Sequence, residues 1–565
     1  MTTTTTMSTV TEDRIHPVTV EIIRNALNSA ADDMNATLIR SAYSPILYEG
    51  GDCVVALLDI NHQVLGQSAG LPLFLGNLET CSIAVEEKYG RGVWKEGDVW
   101  ILNDSYLGGT HLNDVTIFAP VFVDSEIVGF SATRAHWMDM GSKDVGGSMD
   151  SVDIFQEGFR MGPVRLHEAG IETAVVDLIK TNVRFPYQTI GDMNAMIAAL
   201  RMGTTRMQEM VGRYGLSTVE QARDEIFRQT EEIEMEVVRN IPDGVYEAEG
   251  VLDNDGIDLE TQIPIKLKVT VKGAEIELDV TESADQTRGP VNCGVAQAVS
   301  ALRVGYKLLV SPDTNSNGGS FRPLSTQVRE GSVLGAVAPA ACQWYFSHLG
   351  LLIDLVAKAL APAIPHRVVA ASHGDSMIIT TAGLDPRTNR NWVTMEATLG
   401  GWGAWQGSDG ESALINSVNG SLQDLPIEMV ETKYPFRITE YRIAQDSGAP
   451  GEWRGGNGVT RSYEFLANCV VGLWFERSQT PPWGLFGGKN ALGPEVVINP
   501  GRPDEVRALK ANARPMKKGD VVRLTTSGGG GYGSAAKRDR DAVQYDLDNG
   551  YISVEFAREQ YGYDS

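Results

Sequence analysis

A chain of 565 residues, 42% hydrophobic and 21% charged, is longer than one hydrophobic core usually organises, so roughly three or four globular units are expected. A formal charge of −25 with no compensating Lys/Arg run argues against nucleic acid as a partner, and no stretch approaches the roughly 20 apolar residues that span a bilayer. Five scattered cysteines (Cys53, Cys81, Cys293, Cys342, Cys469) without CxxC spacing speak for buried, reduced thiols, and the Thr-rich start MTTTTTMSTV has neither a basic region nor an apolar core, so a frayed tail and a cytoplasmic location are expected.

Val20, Ile23, Leu27, Ala30, Met34 and Leu38 recur at three and four residues with Asp32, Asp33 and Arg40 between them, which predicts an amphipathic helix ending before Pro45. DCVVALLDI (52–60), VWILND (99–104), VTIFAPVFV (115–123) and VGFSATRAHW (128–137) predict strands of a buried sheet. Residues 141–160 break the periodicity with glycine and serine and predict a long, ordered loop near the strand ends. Helical periodicity returns over 190–214 and 218–240, and IPDG at 241–244 stops it. Period-two alternation around Asp255-Gly256 and Lys272-Gly273 then predicts hairpins, followed by apolar helices near 294–310 and 349–361.

Beyond Arg367 the chain is strand- and glycine-rich up to SGGGGYG (527–533), and 536–562 has helical character. The expected fold class is therefore mixed α/β and multidomain. Its parts are a tail (1–14), an N-terminal domain of mixed sheet and helices (15–240), a middle hairpin-and-helix domain (241–366), a glycine-rich β domain (367–534) and a C-terminal helical segment (535–565).

His111 and Asp114 stand three apart on a loop entering a strand, and His136 lies near the end of the following one. Adjacent strands would bring the three within metal-bond reach. Imidazole and carboxylate suit Zn²⁺, Mn²⁺ or Fe²⁺, and three ligands leave open positions where a bound water has its pKa lowered to about 7. An HxxD pair with a distant histidine also arises by chance, and on spacing alone loop capping is the commoner role. Asp104 and Asp139 flank the same elements as a fourth ligand, as acceptors orienting an imidazole, or as caps. Glu49 and Asp52 precede a strand and either point towards the same site or serve as turn carboxylates.

Other motifs carry less. SGGGGYG lacks the Lys-Ser/Thr of a phosphate cradle and is expected to be a mobile or tightly turning loop. Ser372, His373 and Asp375 have no GxSxG elbow to supply a nucleophile. WGAW (402–405) and GEWRGGNG (451–458) read as packing and turns in a glycine-rich β region.

HPVTVEIIRNAL, ATLIRSAYSP, ILNDSYLGGTHLNDVTIFAPVF, NSNGGSFRP, YPFRITEYRIAQDSG, GEWRGGNGV, PPWGLFGGKN and TSGGGGYG resemble, in order and over essentially the whole chain, the hydantoinase B/oxoprolinase family. That family includes the B components of ATP-dependent N-methylhydantoinases, the C-terminal half of 5-oxoprolinase, and components of caprolactamase and of acetone and acetophenone carboxylases. The resemblance implies a hydantoinase A-type partner that binds ATP and Mg and phosphorylates an amide or carbonyl oxygen, in an (AB)2 hetero-oligomer. This chain would complete ring opening of a small cyclic amide, namely a hydantoin, oxoproline or lactam. It also implies a divalent metal, Zn or Mn or Fe, at positions matching His111, Asp114 and His136, beside which Asp139 and Asp104 are the candidates for proton handling or imidazole orientation. Two other readings stay open: a ketone carboxylase component using the same site, and a scaffold for the ATPase partner. One departure is LPLFLG (71–76), which lacks histidines that many members carry there, so a more apolar pocket is expected.

Overall fold

The computed structural model describes residues 15–108 and 110–564, so the predicted tail lies outside the described residues. The first helix, Pro17–Ser41, carries its apolar stripe inward: Val20, Ile23, Leu27, Met34 and Leu38 are all buried. It covers one face of an antiparallel seven-stranded sheet of order β2-β1-β5-β4-β3-β6-β7. The strands are β1 (Cys53–Leu58), β2 (Val64–Gln67), β3 (Val99–Leu102), β4 (Asp114–Val123), β5 (Glu126–His136), β6 (Val164–Glu168) and β7 (Ile171–Glu172).

Alternate residues of this sheet enter two cores. Val55, Leu57, Ile101, Val115 and Ile117 meet the first helix and the long helices Pro186–Tyr214 and Leu216–Arg239. Val54, Ala56, Leu58, Trp100, Phe118 and Phe130 meet Leu78, Cys81 and Val85 of the helix Leu78–Tyr89. Burial on both faces is why β1 and β3 read as continuous apolar runs. Residues 141–160 form an ordered irregular segment, pinned where the buried Glu157 carboxylate accepts from the backbone N–H groups of Cys342 and Gln343.

A second sheet is formed by β8 (Gly244–Leu252), β9 (Ile263–Lys272), β10 (Glu275–Asp279) and β11 (Leu324–Gln327), the last parallel to β10. Ile263, Ile265, Leu267, Val269 and Val271 point to one face, which the helix Phe346–Leu360 covers, with Val295–Val310 packed beside it. This core runs on past residue 366, since Ile378, Ala404, Trp474 and Trp483 belong to it and Trp344 stacks on Trp474 at 5.7 Å.

The C-terminal region holds two antiparallel sheets. One comprises β12 (Ile378–Asp385), β13 (Arg390–Glu396), β16 (Cys469–Trp474) and β19 (Lys510–Met516); the other comprises β14 (Phe436–Ile443), β15 (Val459–Phe465), β17 (Glu495–Ile498), β18 (Val506–Arg507) and β20 (Val521–Thr525). Ile379, Val471, Leu473, Tyr463, Val522 and Leu524 fill the space between them.

The SGGGGYG run is not a mobile or turning loop. Gly528–Gly531 are buried, and the run is threaded between other glycine-rich segments. The N–H of Gly529 donates to Gly456, that of Gly530 to Ala371, that of Gly401 to Ser527 and that of Ala404 to Gly530. A Cβ on Gly529 would lie 1.8 Å from the Trp402 carbonyl oxygen, and one on Gly455 1.8 Å from that of Gly529. Backbone packs directly on backbone, a contact that only glycine permits. The helices Arg540–Asp548 and Val554–Tyr561 close the chain with a small core of their own.

Candidate metal centre

Antiparallel pairing of β4 with β5 sets Asp114 directly opposite His136, so both side chains leave the sheet on one face. His111 joins them from the turn before β4, where the Asp114 N–H donates to the His111 carbonyl at 3.0 Å. All three are buried, and one potential ligand atom from each falls within 4.8 Å of the others. The two imidazole rings stand 4.9 Å apart and nearly perpendicular.

A carboxylate only accepts, so the 3.1 Å contact of His136 Nδ1 with Asp114 Oδ1 places a proton on Nδ1, and in the neutral ring the lone pair is then on Nε2. That Nε2, and Nδ1 of His111, have no hydrogen-bond partner among the described residues. Asp114 Oδ2 accepts from the hydroxyls of Thr110 and, at 3.0 Å, Tyr345. Burial drives the His111 pKa down to about 4 against the pull of Asp114, which keeps that ring neutral. Burial also works against the charges on Asp114 and His136, yet His111 and then His136 lower the Asp114 pKa, and Asp114 and then Asp52 raise that of His136. Two shielded imidazole nitrogens beside an ionised carboxylate are a donor set that fits a divalent cation such as zinc, manganese or iron(II).

The remaining candidates separate by position. Asp52 borders the same cavity with its Oδ1 shielded and unpartnered among the described residues; burial raises its pKa to about 7, with His136 opposing and Asp114 adding. Glu49 caps the short helix Pro45–Tyr48 and does not line the cavity. Asp104 folds back on its own turn, accepting from the Tyr106 N–H at 3.0 Å and facing Arg160 at 3.5 Å. Asp139 is occupied on both oxygens by Arg184, by the backbone N–H at 2.6 Å and the guanidinium at 2.7 Å. Neither Asp104 nor Asp139 belongs to the cluster of His111, Asp114 and His136 or to the lining of the cavity beside it. Asp139→Asn is expected to cost about 2 kcal/mol of stability, the range for hydrogen bonds to charged groups, while metal content stays at the wild-type level; a thermal melt beside elemental analysis checks both.

Ser372, His373 and Asp375 do not assemble. Ser372 bonds to Asp354, Asp375 accepts from Ser347, and neither ring nitrogen of His373 has a partner among the described residues. LPLFLG forms the short helix Pro72–Leu75, and its Leu71 and Phe74 border the cavity as apolar walls. Tyr345, Glu396 and Asp424 also line it, and none carries a local sequence signal. They arrive from the middle and C-terminal regions by tertiary packing.

The family model described as hydantoinase B/oxoprolinase matches residues 16–535. The B component of a putative D-/L-hydantoinase from Pseudomonas sp. (strain NS671) is 31% identical over 97% of this chain and 95% of its own length. The beta component of the caprolactamase of Pseudomonas jessenii is 30% identical over 97% and 96%. In three dimensions the chain is similar to the ATP-dependent caprolactamase of Pseudomonas jessenii, with a TM-score of 0.91 at 28% identity over 97% of this chain and 96% of that one. A nucleotide-free acetone carboxylase structure gives 0.89 at 19% identity, covering 98% and 80%, which is a likeness of fold.

Proposed function

Because the chain belongs to the hydantoinase B/oxoprolinase family, we propose that it is the B-type component of an ATP-dependent cyclic amidase that opens a hydantoin, oxoproline or lactam ring. The observation that carries this reading is the buried His111, Asp114, His136 cluster at one wall of a cavity whose other walls include Leu71, Phe74, Ile378 and Leu425. Polar groups fix the reacting bond there, and the apolar sides suit the carbon skeleton of a small ring.

An unactivated amide resists attack by water. A partner ATPase that phosphorylates the amide oxygen would give the carbon a good leaving group, and this chain would then complete the hydrolysis. The names of the hydantoinase and caprolactamase relatives make each of them one component of a larger enzyme, which favours such a partner. A divalent cation held by His111, Asp114 and His136 would supply Lewis acidity towards water and the carbonyl oxygen. Tyr345 and Thr110 hold the Asp114 carboxylate in place through Oδ2. Asp52 Oδ1, shielded at the cavity edge, is positioned to take a proton from incoming water.

The test is the co-purified complex given ATP with hydantoin, 5-oxoproline, ε-caprolactam and acetone, each with and without bicarbonate. Ring opening without bicarbonate is the expected result. Consumption of acetone only with bicarbonate would make the chain part of a carboxylase, and ATPase activity with no product would leave it a scaffold.

A further inference from the structure

In the cavity that His111, Asp114 and His136 line, the C-terminal sheets present a second ionisable set. Glu396 ends β13 opposite Ile379 of β12, is 4% exposed, and borders the same cavity as His111, Asp114 and His136. Behind it Arg461 of β15 is fully buried beside the rings of Tyr441 and Tyr463, at 4.9 and 5.1 Å. The guanidinium serves two carboxylates: Nη1 donates to Asp424 Oδ1 at 3.1 Å, and Nη2 lies 2.9 Å from Glu396 Oε2.

One cation between two carboxylates leaves one negative charge uncompensated, in a cavity that also holds Asp52 and Asp114. A buried unpaired charge is expensive, and a carboxyl group relieves it by keeping its proton. Asp424 is the better-served anion, since it accepts from both Arg461 and the Tyr441 hydroxyl and is partly solvated. Neither oxygen of Glu396 receives an aligned hydrogen bond from the described residues, and Nη2 of Arg461 stands close but off axis. The charged and titratable groups around Glu396 are Arg461, Asp424, Tyr463, Tyr434 and Tyr441. Burial raises the Glu396 pKa, Arg461 opposes this and Asp424 adds to it, with a net upward shift.

We propose that Glu396 is the proton donor to the departing ring nitrogen, a catalytic role that rests on the cyclic-amidase reading. In the tetrahedral adduct of water and the O-phosphorylated amide, the added hydroxyl loses its proton to solvent and its oxygen forms a C=O bond as the C–N bond breaks, the C–N electron pair going to nitrogen. The acyl phosphate so formed is hydrolysed by a second water to carboxylate and phosphate. The Glu396 O–H bond breaks at the same time as the C–N bond, and its proton forms the new N–H bond. The Glu396 carboxylate regains a proton from bulk water before the next turnover. The wall that activates water and the wall that releases the amine are thereby distinct parts of one cavity, two groups whose environments suit opposite tasks.

The test uses the co-purified complex with ATP and with hydantoin, 5-oxoproline and ε-caprolactam as probes, the fastest of which serves for the variants. Glu396→Gln, which keeps the shape, is expected to lower kcat for ring opening roughly 100-fold or more, the usual reach of general acid catalysis. Metal content and melting temperature should stay at wild-type values. The wild-type rate should fall as rising pH ionises Glu396; the residual rate of Glu396→Gln should lack that limb, and Glu396→Asp should keep it at a reduced rate. An unimpaired Glu396→Gln overturns the proposal and leaves the amidase reading standing. Loss of metal and thermal stability in both variants, in step with activity, overturns it in favour of a structural role. Asp424→Asn abolishing the falling limb while Glu396→Gln keeps it moves the proton to Asp424 and also overturns it. If the wild type opens none of the three rings, the amidase reading fails and the proton donor with it.

Discussion

Asp114→Asn is expected to strip the complex of its divalent metal and to lower turnover roughly 1,000-fold, the equivalent of several kcal/mol of lost Lewis-acid stabilisation at about 1.4 kcal/mol per factor of ten. Asp114 is the shared member of the cluster, 3.1 Å from His136 Nδ1 and 3.6 Å from His111 Nδ1. Asparagine has the same shape and keeps a carbonyl oxygen for the Thr110 and Tyr345 hydroxyls, so the substitution isolates the charge. It also removes the acceptor that orients the His136 ring, an outer contact whose loss in metal sites typically costs a further 10–100-fold in affinity. Elemental analysis of the dialysed complex beside product formation makes the measurement. Stoichiometric metal in Asp114→Asn would mean that the ion is held elsewhere.

Gly529→Ala should be the most damaging single methyl group in the C-terminal half, at more than about 4 kcal/mol, in the range reserved for severe overpacking. The added Cβ would meet the Trp402 carbonyl oxygen at 1.8 Å and its carbon at 2.1 Å, both backbone atoms. Trp402 has no freedom to retreat, because its carbonyl accepts from Gly456 and its N–H donates to Glu411. Gly212→Ala is the control. It lies on an exposed turn of the helix Pro186–Tyr214 with nothing within 4 Å of the added carbon, and alanine there should gain about 0.5–1 kcal/mol from helix propensity. Denaturant midpoints for the pair make the comparison, and equal stability of Gly529→Ala and wild type would show that the glycine layer is loosely packed.

Much of the N-terminal half is legible in the sequence because its elements are set by local periodicity. The stripe from Val20 to Leu38 gives the first helix, and the apolar runs of β1, β3, β4 and β5 give the sheet. Consecutive strands that pair as a hairpin bring His136 to Asp114 by register, yet spacing alone favours loop capping for these residues, and it is the family resemblance that singles out the three. The helix Leu78–Tyr89 escapes such reading, being short and interrupted by Ser82 on its buried side. Asp52 and Glu49 are alike in sequence and differ only in which way the turn before β1 faces. Asp139 suits the site by its place in the chain, yet Arg184, 45 residues further on, occupies both of its oxygens. The glycine run misleads for a physical reason: glycine is read as freedom, whereas here it is a requirement for contact. Glu396, Asp424 and Tyr345 have no signal because their part in the site is decided by packing between distant regions.

That packing has a consequence for how the site comes into being. Domains emerge from the ribosome in order, N-terminal first. Once β5 has been made, His111, Asp114 and His136 can meet, yet the wall bearing Glu396 and its Arg461 anchor does not exist until β13 and β15 have followed. A nascent chain would therefore pass through an interval in which the three side chains stand uncovered, and selection of the cation proposed for them would fall within that interval, before the C-terminal wall is in place.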